Sequence, residues 1–321
     1  DKADITFKEY VLSLNENRKG ESYEKDLEYW KNKLDNISGA PELPVNKESS
    51  VGTFKRFSTH LKPEKWEALK NRIRNYGLTE PVFLMSLYAE VIARYSRDKK
   101  FSINLTRFNR IPFSEKVDQV VGDFTTLTIL SLDLTIGQSF EERAKEIQKV
   151  LWSDISHSSV SGVHVERMLN KNKQSDVVMP VVFTSGIGLT EDRTTGENSY
   201  LGKLGYGLSQ TPQVWLDMQV YNDATGLYVS LDAVEELFPQ NMVADMFSEY
   251  ERLLNVLSKD ETLWNKETGS IVESSDYSMI EAINATRCRL DKRTLVDGIK
   301  DLAVQSPEKV AVVHKGTTYS Y

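Results

Sequence analysis

Apolar residues recur at helical spacing through "ESYEKDLEYWKNKLDN", which sets Tyr23, Leu27, Trp30 and Leu34 on one stripe. "GAPELPV" ends that pattern, because its two prolines favour an extended segment. "KPEKWEALKNRIRNYG" predicts a second helix, with Pro63 in its first turn and Gly77 at its C-terminal end. "LTEPVFLMSLYAEVIARYSR" predicts a third, apolar enough to be largely buried, with Thr79 as N-cap. The pattern then turns to strands, "FSINLTRF" and the β-branched "GDFTTLTILSLDL". Helices follow at "SFEERAKEIQKVLWSDI" and "SGVHVERMLN", then strands at "VVMPVVFTS", "QVWLDMQVY" and "GLYVSLD". A long helix, "PQNMVADMFSEYERLLNVLS", closes the series. Strands alternating with helices predict an α/β unit.

Beyond Leu263 the pattern weakens. "NKETGSIVESSDYS" is polar and reads as a linker. After it come a short helix, a strand "KVAVV", a Lys-Gly turn and a strand that reaches Tyr321 with nothing following to pair with it. The chain therefore reads as an excerpt from a longer polypeptide. The expected division is 1–263, a linker at 264–290, and the start of another domain at 291–321.

Composition narrows the classes. The net charge of −7 over 321 residues argues against a nucleic-acid partner, which favours a basic face. No apolar run is long enough for a membrane span, and no secretory leader is apparent. One cysteine, Cys288, excludes an internal disulfide and a multi-cysteine metal site, and the four histidines show no ligand spacing. The expectation is a cytoplasmic protein without a metal. "GKLGYG" follows no strand, so a nucleotide loop is not indicated.

One strand asks for an explanation. In "SQTPQVWLDMQVY", alternation predicts Val214, Leu216, Met218 and Val220 on one face and Trp215, Asp217, Gln219 and Tyr221 on the other. Asp217 thus sits amid aromatic neighbours. Thr184 ends "VVMPVVFT". If the two strands are neighbours, the carboxylate and the hydroxyl converge, a pairing suited to proton transfer. Edge protection by the aspartate and simple strand preference of the threonine are the ordinary alternatives. Asn109 could orient a carbonyl or serve a proline turn. His157 reads as a cap or packing residue, and Cys288 lies in the linker. Asp118 and Asp123 read as turn residues before a strand.

Several stretches together resemble the heterocyclization variant of the nonribosomal peptide synthetase condensation domain. "GAPELPV" is similar to a Leu-Pro core motif, "VGDFTTLTIL" to a Gly-Asp-Phe-Thr motif, and "MPVVFTSGIG" to a Pro-Val-Val-Phe-Thr-Ser motif. "SQTPQVWLDMQV" is the match that separates cyclization from ordinary condensation domains. Leu231 stands where the family pattern has tryptophan. "INATRCRL" and "SPEKVAVVHKGTTYSY" resemble a linker and the opening of an adenylation domain.

The resemblance implies a chloramphenicol-acetyltransferase-like α/β lobe, the second of two that enclose a tunnel. The family's Asp-rich signature belongs to the first lobe. Asp118, Asp123 and Thr126 mimic its spacing, but threonine replaces serine and the stretch belongs to the Gly-Asp-Phe-Thr motif. The signature is therefore taken as absent, and 1–321 alone is expected to be inactive. The implied reaction joins an upstream thioester to carrier-bound cysteine, serine or threonine, then cyclodehydrates the product to a thiazoline or oxazoline. Asp217 would be the acid/base and Thr184 would orient it, with Ser185, Asn109, Gln210 and Gln213 positioning substrate. No cofactor is expected on the chain itself, since 4'-phosphopantetheine arrives on partner carrier domains. The other implied partners are the missing N-terminal lobe and a downstream adenylation domain. An amide-forming condensation domain, and a non-catalytic lobe that docks carriers, are the competing readings.

Overall fold

A computed structural model describes residues 4–46, 53–137, 139–173, 178–188, 207–208, 210–266, 282–287 and 293–321. Contacts divide the chain into two units, Asp1–Ile271 and Val272–Tyr321.

The first unit opens with α1 (Phe7–Asn17), which the hydrophobic pattern did not reveal. Its start is fixed by a capping box between Thr6 and Glu9. α2 (Glu21–Lys33) buries Tyr23 and Trp30 on the expected stripe. β1 (Phe54–Leu61), also unanticipated, precedes α3 (Pro63–Asn75). Pro63 opens α3 and Gly77, at φ +71°, terminates it. α4 (Glu80–Tyr95) is buried continuously from Val82 to Ala93, as its composition requires. Thr79 is its N-cap residue, although its side chain makes no capping hydrogen bond. β2 (Lys100–Phe108), β3 (Thr125–Asp133), α5 (Phe140–Ser156), α6 (Gly162–Lys173), β4 (Val181–Ser185), β5 (Leu216–Asp223), β6 (Gly226–Val234) and α7 (Met242–Lys259) complete the unit.

The strands form one six-stranded sheet in the order β1-β6-β5-β4-β2-β3. β4 runs parallel to both β2 and β5, and the other pairings are antiparallel. Residues of α3, α4, α5 and α7 share one apolar cluster with Phe183, Leu216, Met218, Val220 and Leu231 of the sheet. Leu231, where the family pattern has tryptophan, is fully enclosed there. A second cluster joins α2 and α6 to Ile129 of β3. Leu130 and Leu132 belong instead to the main cluster. β3 therefore has helices on both sides. Among the described residues, no helix is long and apolar enough to cross a membrane.

The turn from β5 to β6 depends on Gly226. Its φ is +125°, and an added Cβ would lie 2.1 Å from the Leu61 carbonyl oxygen. Backbone, not a flexible side chain, blocks the space. Gly226→Ala is expected to cost about 1–3 kcal/mol, measured as a lower urea midpoint. An unchanged midpoint would show that this turn yields freely.

The second unit contains α8 (Leu295–Gln305), β7 (Val310–His314) and β8 (Thr317–Ser320). The sequence left β8 without a following partner. It pairs backward with β7 as an antiparallel hairpin. Lys315 and Gly316 both have positive φ, +48° and +83°, the backbone that suits a two-residue hairpin turn.

Candidate active site

The alternation of β5 holds from Leu216 onward. Leu216, Met218 and Val220 enter the main core, and Asp217 and Gln219 face a cavity on the other side. The first two positions depart from expectation. Trp215 packs against the core, while Val214 lines the cavity. Gln213 takes φ +71° and Val214 N–H donates to the Thr211 carbonyl. That turn resets the phase before the strand begins.

Sheet register then fixes the neighbours of Asp217. Val182 of β4 and Asp232 of β6 lie directly opposite it, and Thr184 is two residues beyond Val182 on the same face. The Thr184 hydroxyl is 3.4 Å from Asp217 Oδ1 and 3.0 Å from the Thr106 hydroxyl of β2. Gln219 Nε2 donates to Asp217 Oδ2 at 2.8 Å and to Asp232 Oδ2 at 3.2 Å. Arg56 of β1 grips Asp232 with Nε at 2.6 Å and Nη2 at 2.5 Å. The same Nη2 donates to Gln219 Oε1 at 3.3 Å. A polar row thus crosses five strands.

Asp217 is 8% exposed and Asp232 is 0% exposed. Two buried carboxylates opposed across strands repel each other. Arg56 and the Gln219 amide supply the positive counterpart. Below the sheet, Tyr88 of α4 is buried. That burial, and next the Asp217 charge, push its hydroxyl pKa well above the usual tyrosine range. Tyr88 is therefore neutral at physiological pH.

The cavity holds about 900 Å³. Asn104, Thr106, Thr184, Asp217 and Gln219 form its floor. Residues of α1 and α2, and serines of the segment before α6, contribute other walls. A partly enclosed carboxylate with adjacent hydroxyl and amide groups can take a proton from a bound nucleophile and return it to a departing oxygen.

Of the residues expected in the site, Asp217 and Thr184 come together. Asn109 also lines the cavity. Its backbone N–H donates to the Phe124 carbonyl, and its own carbonyl accepts from the Tyr10 hydroxyl. Ser185 does not join them. One residue after Thr184, it points to the opposite face and lines a separate apolar pocket with Phe183 and Ile187. Gln210 and Gln213 are exposed and are not among the residues lining the cavity. The turn that carries them presents Thr211 and Val214 instead. Cys288 lies outside the described residues. His157 is the C-cap residue of α5 and stacks on Tyr29 at 3.8 Å, a packing role. Asp118 is exposed and 3.9 Å from Arg110. Asp123 caps its own turn by accepting from Thr125 N–H at 2.9 Å. Thr106, Asp232 and Arg56 escaped the sequence reading, which set Gln219 on the face of Asp217 but gave it no role. The Asp-x-Gln spacing within β5 was the available signal for Gln219.

A condensation-domain family model matches residues 1–279. The chain is 33% identical to pyochelin synthetase PchF of Pseudomonas aeruginosa over 99% of its own length and 17% of that protein's. It is 30% identical to phenyloxazoline synthase MbtB of Mycobacterium tuberculosis over 98% of its length and 23% of that protein's. The chain thus spans less than a quarter of these relatives. Among solved structures, the EpoB NRPS cyclization-docking bidomain from Sorangium cellulosum superposes with a TM-score of 0.71 at 32% identity, over 81% of this chain and 53% of that one. The nonribosomal peptide synthetase FmoA3 matches with a TM-score of 0.79 at 27% identity, over 100% of this chain and 34% of its own. The fold is thus the chloramphenicol-acetyltransferase-like α/β fold of condensation domains, and the chain belongs to the condensation-domain family of nonribosomal peptide synthetases.

Proposed function

We propose that this domain catalyses heterocyclization, joining an upstream carrier-bound thioester to carrier-bound cysteine, serine or threonine and closing the product to a thiazoline or oxazoline. The observation that carries the reading is the pairing of Asp217 with Thr184 on the cavity floor. Likeness to a cyclization domain and to a phenyloxazoline synthase supports it.

In the first step the acceptor amine attacks the thioester carbonyl. An amide forms and the upstream carrier thiol leaves. Placing the two reactants is the main requirement. In the second step the acceptor's own thiol or hydroxyl adds to the new amide carbonyl. Asp217 accepts the proton released from that group. It delivers that proton to the carbonyl oxygen, giving a hydroxyl, then takes the amide nitrogen's proton as the C=N bond forms and passes it to the hydroxyl, which departs as water. Thr184 holds Asp217 through Oδ1. Thr106 backs Thr184 and can donate to it when the Thr184 proton turns to Asp217. Asn109 lines the same cavity as a substrate-positioning residue.

The partners in this reading are upstream and downstream carrier domains bearing 4'-phosphopantetheine, a facing N-terminal lobe and a downstream adenylation domain. Residues 1–263 form the catalytic lobe together with Trp264, which was expected to open the linker but is buried in the core of that lobe. The linker runs on to 290, and 291–321 is the start of the adenylation domain.

The test uses the complete synthetase with loaded carriers, following the amide and the product lighter by one water by mass. Release of the uncyclized amide alone would reject cyclization. Thr184→Val keeps the shape and removes the hydroxyl. It should slow cyclization more than amide formation, by a smaller factor than loss of Asp217 itself. Equal slowing of both steps would assign Thr184 to binding.

A further inference from the structure

Gln219 makes three contacts through one amide, and they agree on its orientation. Its NH2 group faces two carboxylates, and its oxygen faces the Arg56 guanidinium. A flipped amide would set an acceptor against two acceptors and a donor against a donor. Arg56 is itself held by a two-point grip on Asp232. The amide cannot turn without disturbing the ion pair behind it.

We propose that Gln219, clamped by the Arg56–Asp232 pair, is a positioning residue that reserves Oδ2 of Asp217 for a fixed hydrogen bond and assigns proton transfer to Oδ1. This rests on the acid/base reading of Asp217 and deepens it. Oδ1 is the oxygen beside the Thr184 hydroxyl, so the proton-handling atom and its orienting group fall on the same side. The clamp also favours the carboxylate form, since an amide donor stabilises the charge it touches. Asp232 works against it as a like charge directly opposite. Among the described residues, the charged and titratable groups around Asp217 include Asp232 of β6, Arg56 of β1 through Gln219, and Tyr88 of α4 on the core side of the sheet. Asp123, Arg18, Tyr10 and Tyr23 line the same cavity.

Two variants of the complete synthetase move this balance in opposite directions. Gln219→Leu removes the donor. The acid limb of the cyclodehydration rate should then move to higher pH by about one unit, the size of a charge-assisted hydrogen bond. Asp232→Asn keeps the shape and removes the opposing charge, so its acid limb should move to lower pH. The rate of amide formation, measured in the same reactions, can change in either variant, but its acid limb should not follow the opposite shifts expected for cyclodehydration. A merely structural role would lower the rates of both steps and leave the limb in place. An unmoved limb in both variants, or shifts of the same sign, would overturn the proposal. Asp217→Asn separates the two levels. If that variant cyclizes normally, the acid/base reading fails. If it loses cyclization while the limbs stay fixed, only the clamp fails.

Discussion

Asp217→Asn in the complete synthetase should accumulate the uncyclized amide. Cyclodehydration is expected to slow by about 10²–10⁴-fold, the usual consequence of losing a positioned acid/base. Amide formation should continue, because it depends on placing an amine against a thioester. The substitution is close to isosteric, and the surroundings help it fold. Asparagine Oδ1 can still accept from Gln219 if its amide nitrogen faces the Thr184 oxygen. The variant therefore removes proton exchange with little disturbance of packing. Both products are followed by mass over time. Cyclization at the wild-type rate would make Asp217 a structural strand residue. Loss of amide formation in a normally folded variant would give it a role in binding or condensation.

The convergence behind that prediction was legible because it rests on alternation within two strands. β4 and β5 are apolar on the core side, so their polar positions, Thr184 and Asp217, had to face away from it. That the strands are parallel neighbours was not in the pattern, and register supplied it. Ser185 shows the limit of reading along the chain. Its place beside Thr184 in sequence suggested a shared site, yet strand geometry sends adjacent residues to opposite faces. Gln210 and Gln213 came from the family resemblance rather than from any pattern. They sit exposed in a turn with a left-handed residue at 213, and the described cavity is lined by Thr211 and Val214 instead.

β1 hid Arg56. It is an edge strand whose residues are mostly half-buried or exposed, so "FKRFSTHL" lacks clean alternation. Arg56 within it resembles the charge that protects many edges. Only its pairing opposite Asp232 gives it meaning. α1 was missed because only Tyr10 of its eleven residues is buried. Tyr10 joins Val117, Val120 and Phe124 in a small separate cluster, contacts that no local pattern reports.

The same ion pair carries the largest expected effect on stability. Arg56→Met should destabilise the domain by about 3–5 kcal/mol, the range for breaking a buried pair from one side. Asp232 is fully enclosed and stands opposite Asp217. Without Arg56 it would lose its bidentate counter-charge while keeping a like charge across the strand. Equilibrium unfolding in urea reads the effect as a lower midpoint with an unchanged slope. Arg56→Lys should fall between, since an ammonium cannot reproduce the planar two-point grip. Arg56→Met together with Asp232→Leu should recover much of the loss, because an apolar pair of similar volume often replaces a buried ion pair without cost. A single Arg56→Met variant within about 1 kcal/mol of wild type would show that the pair contributes little more than an exposed one. If the double variant is stable but its cyclodehydration no longer follows the wild-type pH profile, then stability is not what requires charge at these positions. The pair would be there to hold Gln219, and through it Asp217, in the orientation that the reaction uses.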